Sequence, residues 1–578
     1  MATFKIPNTQ GQTRVAQKSE TQGEILESFS VNLNFPIGKI QSSRTLTKVL
    51  DETDLGDERI QALAVYYKQG SVLAPKYYAI TDDYVATCNT SNDPTNPDNW
   101  SEETGISTSN FGDETDAVVF DDKLIISRSQ DLLSWNDSID DNNWGTTVAN
   151  LPSLTANYPH TLHAHSGNGG EFLFVTDANK VHYTEIVGAS GNASTVTLAK
   201  DRVACCIDSG VSATWVGTYS NSNNNALVYE IYTGEQLDGT PVARNAFEID
   251  GRAVLSLVVL NNIPYIITDK GNLQAFNGAG FTTVASLPFS GTSFVLSGMR
   301  IGNVDSDNNQ RPVHPKGMKT SNDSIYININ TEADNRLEIQ GEYAERTPSG
   351  VYEYNTLTGQ LHHRYSFGKS KLLDFTGPIL ITDTPYTFLL AGAEINDTTA
   401  GLYAEGSSYY GYITTVEIDS GTVQDAWEAQ YIKAKTLTGS DNIELKYRLT
   451  KKDKQFFTFT LADANTLNTT DTVSIELGDE ITIIDNTGVG NVGHVTKIDT
   501  GAVVTSITVD TVMGTVGDTG IAETINFKKY TDTYTSEDYE YKKYGLDETS
   551  PWVQFKIVFN GEVEMREFIS KGTAKTEL

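Results

Sequence analysis

The densest grouping of metal-ligand types is His160, His163 and His165, in the run HTLHAH. On a strand His163 and His165 face one way, a spacing that a metal site could use. No cysteine is near and no matching carboxylate can be named, so a satisfied or exposed histidine group is the simpler reading. Asp305, Asp307 and Asn309 open like a calcium loop. Gln310 then stands at the glycine position and Lys316 at the twelfth, so the EF-hand pattern fails. Asp137, Asp140 and Asp141 form a second acidic loop, and both loops read as solvated turns.

Ser129 to Trp135 (SQDLLSW) looks a little like the Asp-box turn of sialidase-type propellers, but it is one residue short and lacks the glycine. A site of that kind also needs converging arginines, and Arg128, Arg202, Arg252 and Arg300 are scattered along the chain. There is no nucleophile elbow, Walker loop, dinucleotide fingerprint or zincin motif. Ser166–Gly170 (SGNGG) is a flexible turn without the lysine of a phosphate loop. The sequence therefore assigns no catalytic residue, no metal ligand and no cofactor, and it reads as a chain that is not an enzyme.

The elements that would carry any site are strands. Gly251 to Phe289 holds four short runs, Ala253–Leu260, Ile263–Thr268, Asn272–Phe276 and Phe281–Leu287. The breaks are Asn261-Asn262, Asp269-Lys270-Gly271 and Asn277-Gly278, the last a strong hairpin turn because Asn and Gly tolerate positive φ. Four strands in about 40 residues make one propeller blade, which cannot bury both faces alone. Thr282–Pro288 (TTVASLP) closes this unit, and Thr146–Pro152 (TTVANLP) closes an earlier one, with six of seven residues identical. The copies lie 136 positions apart, three periods of roughly 45 residues.

Read on that period, the expected fold is all-β. An arm spans 1–55 and a β-propeller of about seven blades spans 56–410. A β-sandwich platform spans 411–464 and 529–578, with a small β-barrel of five strands inserted at 465–528. Platform strands are expected at Tyr412–Ile418, Glu428–Leu437, Ile443–Leu449, Phe456–Leu461, Val553–Phe559 and Glu564–Ile569, and barrel strands include Val473–Leu477. In the arm, Phe29, Val31, Leu33 and Phe35 alternate as one half-buried strand. It is expected to join the sheets of 411–578, the other reading being that it closes the propeller.

The chain has 42 basic and 75 acidic residues, a net charge of −33, and such a surface repels nucleic acid and anionic membrane. No apolar run reaches the 18 or so residues that span a bilayer, and the first twenty residues have no apolar run of the secretory kind. Three cysteines, Cys88, Cys205 and Cys206, make no disulfide framework and point to folding in a reducing cytosol. Cys205 and Cys206 would face opposite sides of a strand.

Phe29–Ser42 (FSVNLNFPIGKIQS), Ile443–Leu449 (IELKYRL) and Trp552–Ser570 (WVQFKIVFNGEVEMREFIS) look like pieces of phage structural proteins. With an arm, a propeller and a C-terminal β platform, the layout resembles the tail nozzle proteins of short-tailed bacteriophages. The resemblance covers the whole chain in architecture, although the inserted barrel has no counterpart in it. It implies a virion tail protein made in the host cytoplasm. It also implies a self-assembled ring of six copies around a DNA exit channel, with adaptor and fibre proteins as neighbours. An acidic wall would let the passing DNA slide without specific binding. The alternatives are a receptor-recognition or glycan-cleaving propeller and a capsid-decorating protein.

Overall fold

The computed structural model describes the chain from Ala2 to Ala574. It leaves out residues 7–24, 34–38, 51–58, 67–75, 104–114, 137–143, 146–150, 186–192, 234–240, 290–311, 332–347, 383–387, 420–424, 450–454 and 545–549, with stretches of one to four residues elsewhere. The described residues are nearly all strands and turns, arranged as many small antiparallel sheets and one closed six-stranded barrel. One 3-10 turn, Pro97–Asn99, occurs, and no α-helix is found among them. The chain divides into two compact units. The first takes residues 1–46, 336–372 and 406–578, and the second takes 47–335 and 373–405. The sequence boundaries at 55 and 410 thus move, and 336–372 goes with the C-terminal segment.

In the second unit five four-stranded sheets follow one another. Their first strands are Ala62–Tyr66, Ala117–Phe120, Leu162–Gly167, Arg202–Ser209 and Val254–Leu260. The hairpin of Met318–Ser321 and Ser324–Ile329 comes next. Phe375–Thr382 and Phe388–Glu394 then pair, with residues 401–404 beside them. Each first strand packs on the next, and Phe375–Thr382 packs back on Ala62–Tyr66. The backbone of Val49 donates to Leu402 O at 2.8 Å, which lays residues near 49 along that last sheet.

The turn residues dictate these hairpins. Asn261 and Asn262 have φ of 53° and 63°, and Asp121 and Asp122 have 51° and 57°, the tight primed turn that matches strand twist. Gly271 has φ 73°, and a Cβ there would collide with Phe289 O, so only glycine fits. Asn277 instead caps a four-residue turn, its Oδ1 accepting from Ala279 N and Gly280 N. One expectation fails. The register slips between Ala204 and Cys206, and this bulge lets both thiols reach one carbonyl, Val254 O, at 3.1 and 4.0 Å. Cys205 and Cys206 do not face opposite sides, because the extra residue breaks the alternation.

The first unit holds the hairpin of Gly350–Asn355 and Gln360–Tyr365, two larger sheets and the barrel. In one sheet Tyr410–Thr414 pairs with Trp552–Asn560, followed by Asn442–Arg448 and Lys528–Tyr534. In the other, Glu564–Ala574 takes Asp425–Ala434 on one side and Ala2–Ile6 with Ile40–Ser42 on the other. Val31, Leu33, Ile40, Ile413, Ile432, Leu445, Phe555 and Phe568 fill the space between. The arm is not one strand: Ser30 has φ 49° and breaks it. Ile25–Phe29 pairs with Tyr412–Thr415, while Val31–Asn32 pairs with Gln41–Ser42 in the other sheet. Phe35 lies outside the described residues, as does most of the earlier heptad at Thr146–Pro152.

The barrel runs Gln455–Asp463, Thr466–Thr469, Thr505–Val509, Val492–Thr500, Glu480–Asp485, Thr519–Ile525. It starts earlier than the sequence suggested and takes the strand Phe456–Leu461 from the sandwich. Phe457, Phe459 and Leu461 point into its core with Leu467, Ile481 and Ile483. Val473–Leu477 is not a strand. Its Val473 and Ile475 pack against the barrel without a ladder.

Candidate functional site

In the second unit, polar side chains gather where the first strands of successive sheets face one another. Leu162–Gly167 supplies His163, Arg202–Ser209 supplies Asp208 and Ser209, and Val254–Leu260 lends the backbone of Val259. Met318–Ser321 supplies Lys319. Asp116 and Lys316 precede their strands by one or two positions.

The contacts are specific. His163 Nε2 lies 2.6 Å from Ser209 Oγ, and its Nδ1 lies 3.5 Å from Asp208 Oδ1. Asp208 is fixed in turn: Oδ1 accepts from Ser209 N at 2.9 Å and Oδ2 from Val259 N at 2.7 Å. A carboxylate beside Nδ1 favours the tautomer with the proton there, which leaves Nε2 to accept from the serine hydroxyl. Beside this trio, Lys316 Nζ donates to Leu162 O at 2.7 Å and lies 3.3 Å from Asp116 Oδ2. Asp116 Oδ2 also accepts from Leu162 N at 2.7 Å. The Lys319 ammonium makes no hydrogen bond or ion pair among the described residues.

Burial, with Lys316, His165 and Lys319 adding to it, holds His163 well below the usual histidine range, so its imidazole is neutral. Burial pushes Asp208 up, while the Val259 N–H, Lys319 and Lys316 oppose the shift. Burial also lowers Lys319, against the pull of Asp208, yet the Lys319 side chain is exposed and His163, Asp208 and Ser209 are half-buried.

The histidine cluster of the sequence does not converge. His160 Nδ1 pairs with Thr176 O at 3.0 Å and His165 Nε2 with Thr233 Oγ1 at 2.9 Å, so each histidine has its own partner. No group of three or more metal-ligating side chains exists among the described residues. Arg202 pairs with Asp201 and with Ser220 Oγ, and Arg252 donates to Ser222 O at 3.4 Å. The side chain of Arg128, the whole of Arg300, and the acidic loops at 137–141 and 305–309 lie outside the described residues. Sequence reasoning missed Asp208 and Ser209 altogether. Their signal is an Asp-Ser pair at the end of an apolar strand.

A second polar cluster lies in the first unit. Glu480 of the barrel is buried between Lys446 and Lys556 of the sandwich, both of which donate to it. Burial pushes the Glu480 carboxyl up, and the two ammonium groups outweigh burial and hold it well below the usual range. The Lys556 ammonium also lies over the Tyr412 ring, 4.4 Å from its centre. This is a clamp: it ties the barrel to the sheet that carries it.

No protein-family model and no curated protein matches the sequence. Among solved structures, the designed protein Ika8 is similar at 11% identity, with 63% of this chain and 99% of that one covered and a TM-score of 0.35. The extracellular domain of BT4673 from B. thetaiotaomicron is similar at 12% identity, with 74% and 45% covered and a TM-score of 0.38. Sqt1 of Saccharomyces cerevisiae is similar at 11% identity, with 63% and 98% covered and a TM-score of 0.37. At these scores the likenesses carry neither fold nor function across. Among the described residues no helix is long and apolar enough to cross a membrane.

Proposed function

We propose that the second unit is a seven-bladed β-propeller and that the chain is a structural component of a short-tailed phage's tail, a nozzle or tail-tip ring. The cyclic packing of seven first strands, from Ala62–Tyr66 round to Phe375–Thr382 and back, supports the propeller. A single blade leaves an apolar face bare, and a closed ring leaves none.

The observation that carries the tail reading is the weave of the first unit. Strands near residues 2–6, 25–42, 406–434 and 552–574 share two sheets, and the second unit is inserted between them in sequence. This order supports the platform-with-propeller layout that the resemblance implies. In this reading six copies form a ring through their platforms, adaptor and fibre proteins dock on it, and viral DNA passes without specific binding along walls of net negative charge. The protein is made in the host cytoplasm and carried in the virion tail. Electron microscopy of the purified chain tests this: rings of six-fold symmetry are expected, and monomers at micromolar concentration would overturn it.

The half-buried His163–Asp208 cluster favours a second reading, a receptor-recognition or glycan-cleaving propeller, since ligand sites bring a few polar groups together. Hydrolysis of a host polysaccharide by the purified chain would decide for it.

A further inference from the structure

We propose that Ser209, His163 and Asp208 form a nucleophile, general base and positioning acid that hydrolyse small carboxylic esters. This activity stands beside the structural role and does not depend on ring assembly. Three features carry it. The first is the order of contacts: the hydroxyl lies at hydrogen-bond distance from Nε2, 2.6 Å, and a carboxylate stands 3.5 Å from Nδ1, longer than a hydrogen bond but on the side of the ring where a positioning acid stands on unrelated folds. The second is rigidity. Two backbone N–H groups from two different strands pin Asp208, and Ser209 and Asp208 end one strand, so the trio needs no loop movement to assemble. The third is setting. The side chains of His163, Asp208 and Ser209 are each part-exposed, so a small ester can reach them from solvent.

The reaction balances without a cofactor. Ser209 Oγ attacks the ester carbonyl carbon and its proton passes to His163 Nε2. The carbonyl oxygen carries the negative charge. The carbon–alkoxy bond breaks, and the leaving alkoxide takes the proton from His163. Water then attacks the acyl-serine, gives its proton to Nε2, and the freed serine recovers it as the carboxylic acid departs. Asp208 touches no reacting atom. It holds the imidazole in the tautomer and orientation that accept the serine proton.

The full chain is incubated with a fluorophosphonate probe and mapped by peptide mass spectrometry, and p-nitrophenyl acetate hydrolysis is followed in parallel. Phosphonylation of Ser209 in the unmodified protein is expected, a readout that needs no variant to fold. Ser209→Ala is expected to abolish the label and to lower kcat/KM by at least about 100-fold, as His163→Gln does. Asp208→Asn is expected to lower kcat with little change in KM and to shift the pH profile. The unmodified enzyme keeps its rate into mildly acidic solution, because the neutral form of His163 persists well below the usual histidine range. No probe on Ser209, or unchanged hydrolysis by a folded Ser209→Ala protein, would overturn the proposal.

Discussion

His362 is fully buried, 3.6 Å from Glu353 Oε2. Burial lowers its pKa to about 4, with Glu353 pulling the other way. The unfolded chain takes up this proton near pH 6.5 while the folded one does not, so the contribution of His362 to stability is full above about 6.5 and declines until about 4. That decline amounts to about 3 kcal/mol. Replacing His362 with Phe should remove this part of the acid sensitivity, seen as a smaller drop in urea-unfolding stability between pH 7 and pH 4 than in the unmodified protein. An equal drop in both proteins would refute it. At this scale the sequence was least legible. His163 and Ser209 stand 46 positions apart, and only the adjacency of two sheets brings them together. The run HTLHAH drew attention to three histidines as a group, when their partners are a serine, a threonine and a backbone carbonyl.

Strands and turns were far more legible than sites. The runs Ile263–Thr268 and Asn272–Phe276 are strands with those very bounds, because alternation and φ-tolerant Asn, Asp and Gly residues act locally. What failed needed non-local information. Nothing in Ala204–Ile207 announces a bulge, and Ser30 is an unusual residue for positive φ. Phe456–Leu461 alternates equally well for sandwich or barrel, and the choice rests on which core receives Phe457. The clamp that joins those two elements is also testable. Changing Glu480 to Gln leaves two buried ammonium groups unbalanced and should cost about 3–5 kcal/mol. The carboxylate's stabilisation is present above its unfolded pKa near 4.3 and fades as pH falls through its depressed folded value. The gap between the unmodified protein and Glu480→Gln in urea denaturation should therefore be widest at neutral pH and narrow in strong acid. A gap that stays constant down to pH 2 would contradict this account.

Over the whole molecule, the period of roughly 45 residues foretold the run of small sheets. It could not foretell that residues 336–372 group with the C-terminal segment, since a hairpin's own sequence does not say which core will cover it. The same weave governs the order of folding. Phe4 lies opposite Ser570 and Phe29 opposite Tyr412, so the first unit's ladders join residues hundreds of positions apart, whereas hairpins such as Val254–Leu260 with Ile263–Thr268 close over a two-residue turn. Loop closure makes distant pairings slow. During refolding, amides of Arg202–Ser209 and Val254–Leu260 should gain exchange protection before those of Lys571 and Ile569, as pulse-labelled hydrogen exchange would record; simultaneous protection would refute this order. A ribosome emitting this chain would expose Ile25–Phe29 as an unpaired strand edge for the whole time needed to make the nearly four hundred residues that separate Phe29 from Tyr412, a standing demand on whatever shields nascent β-strands in the cell.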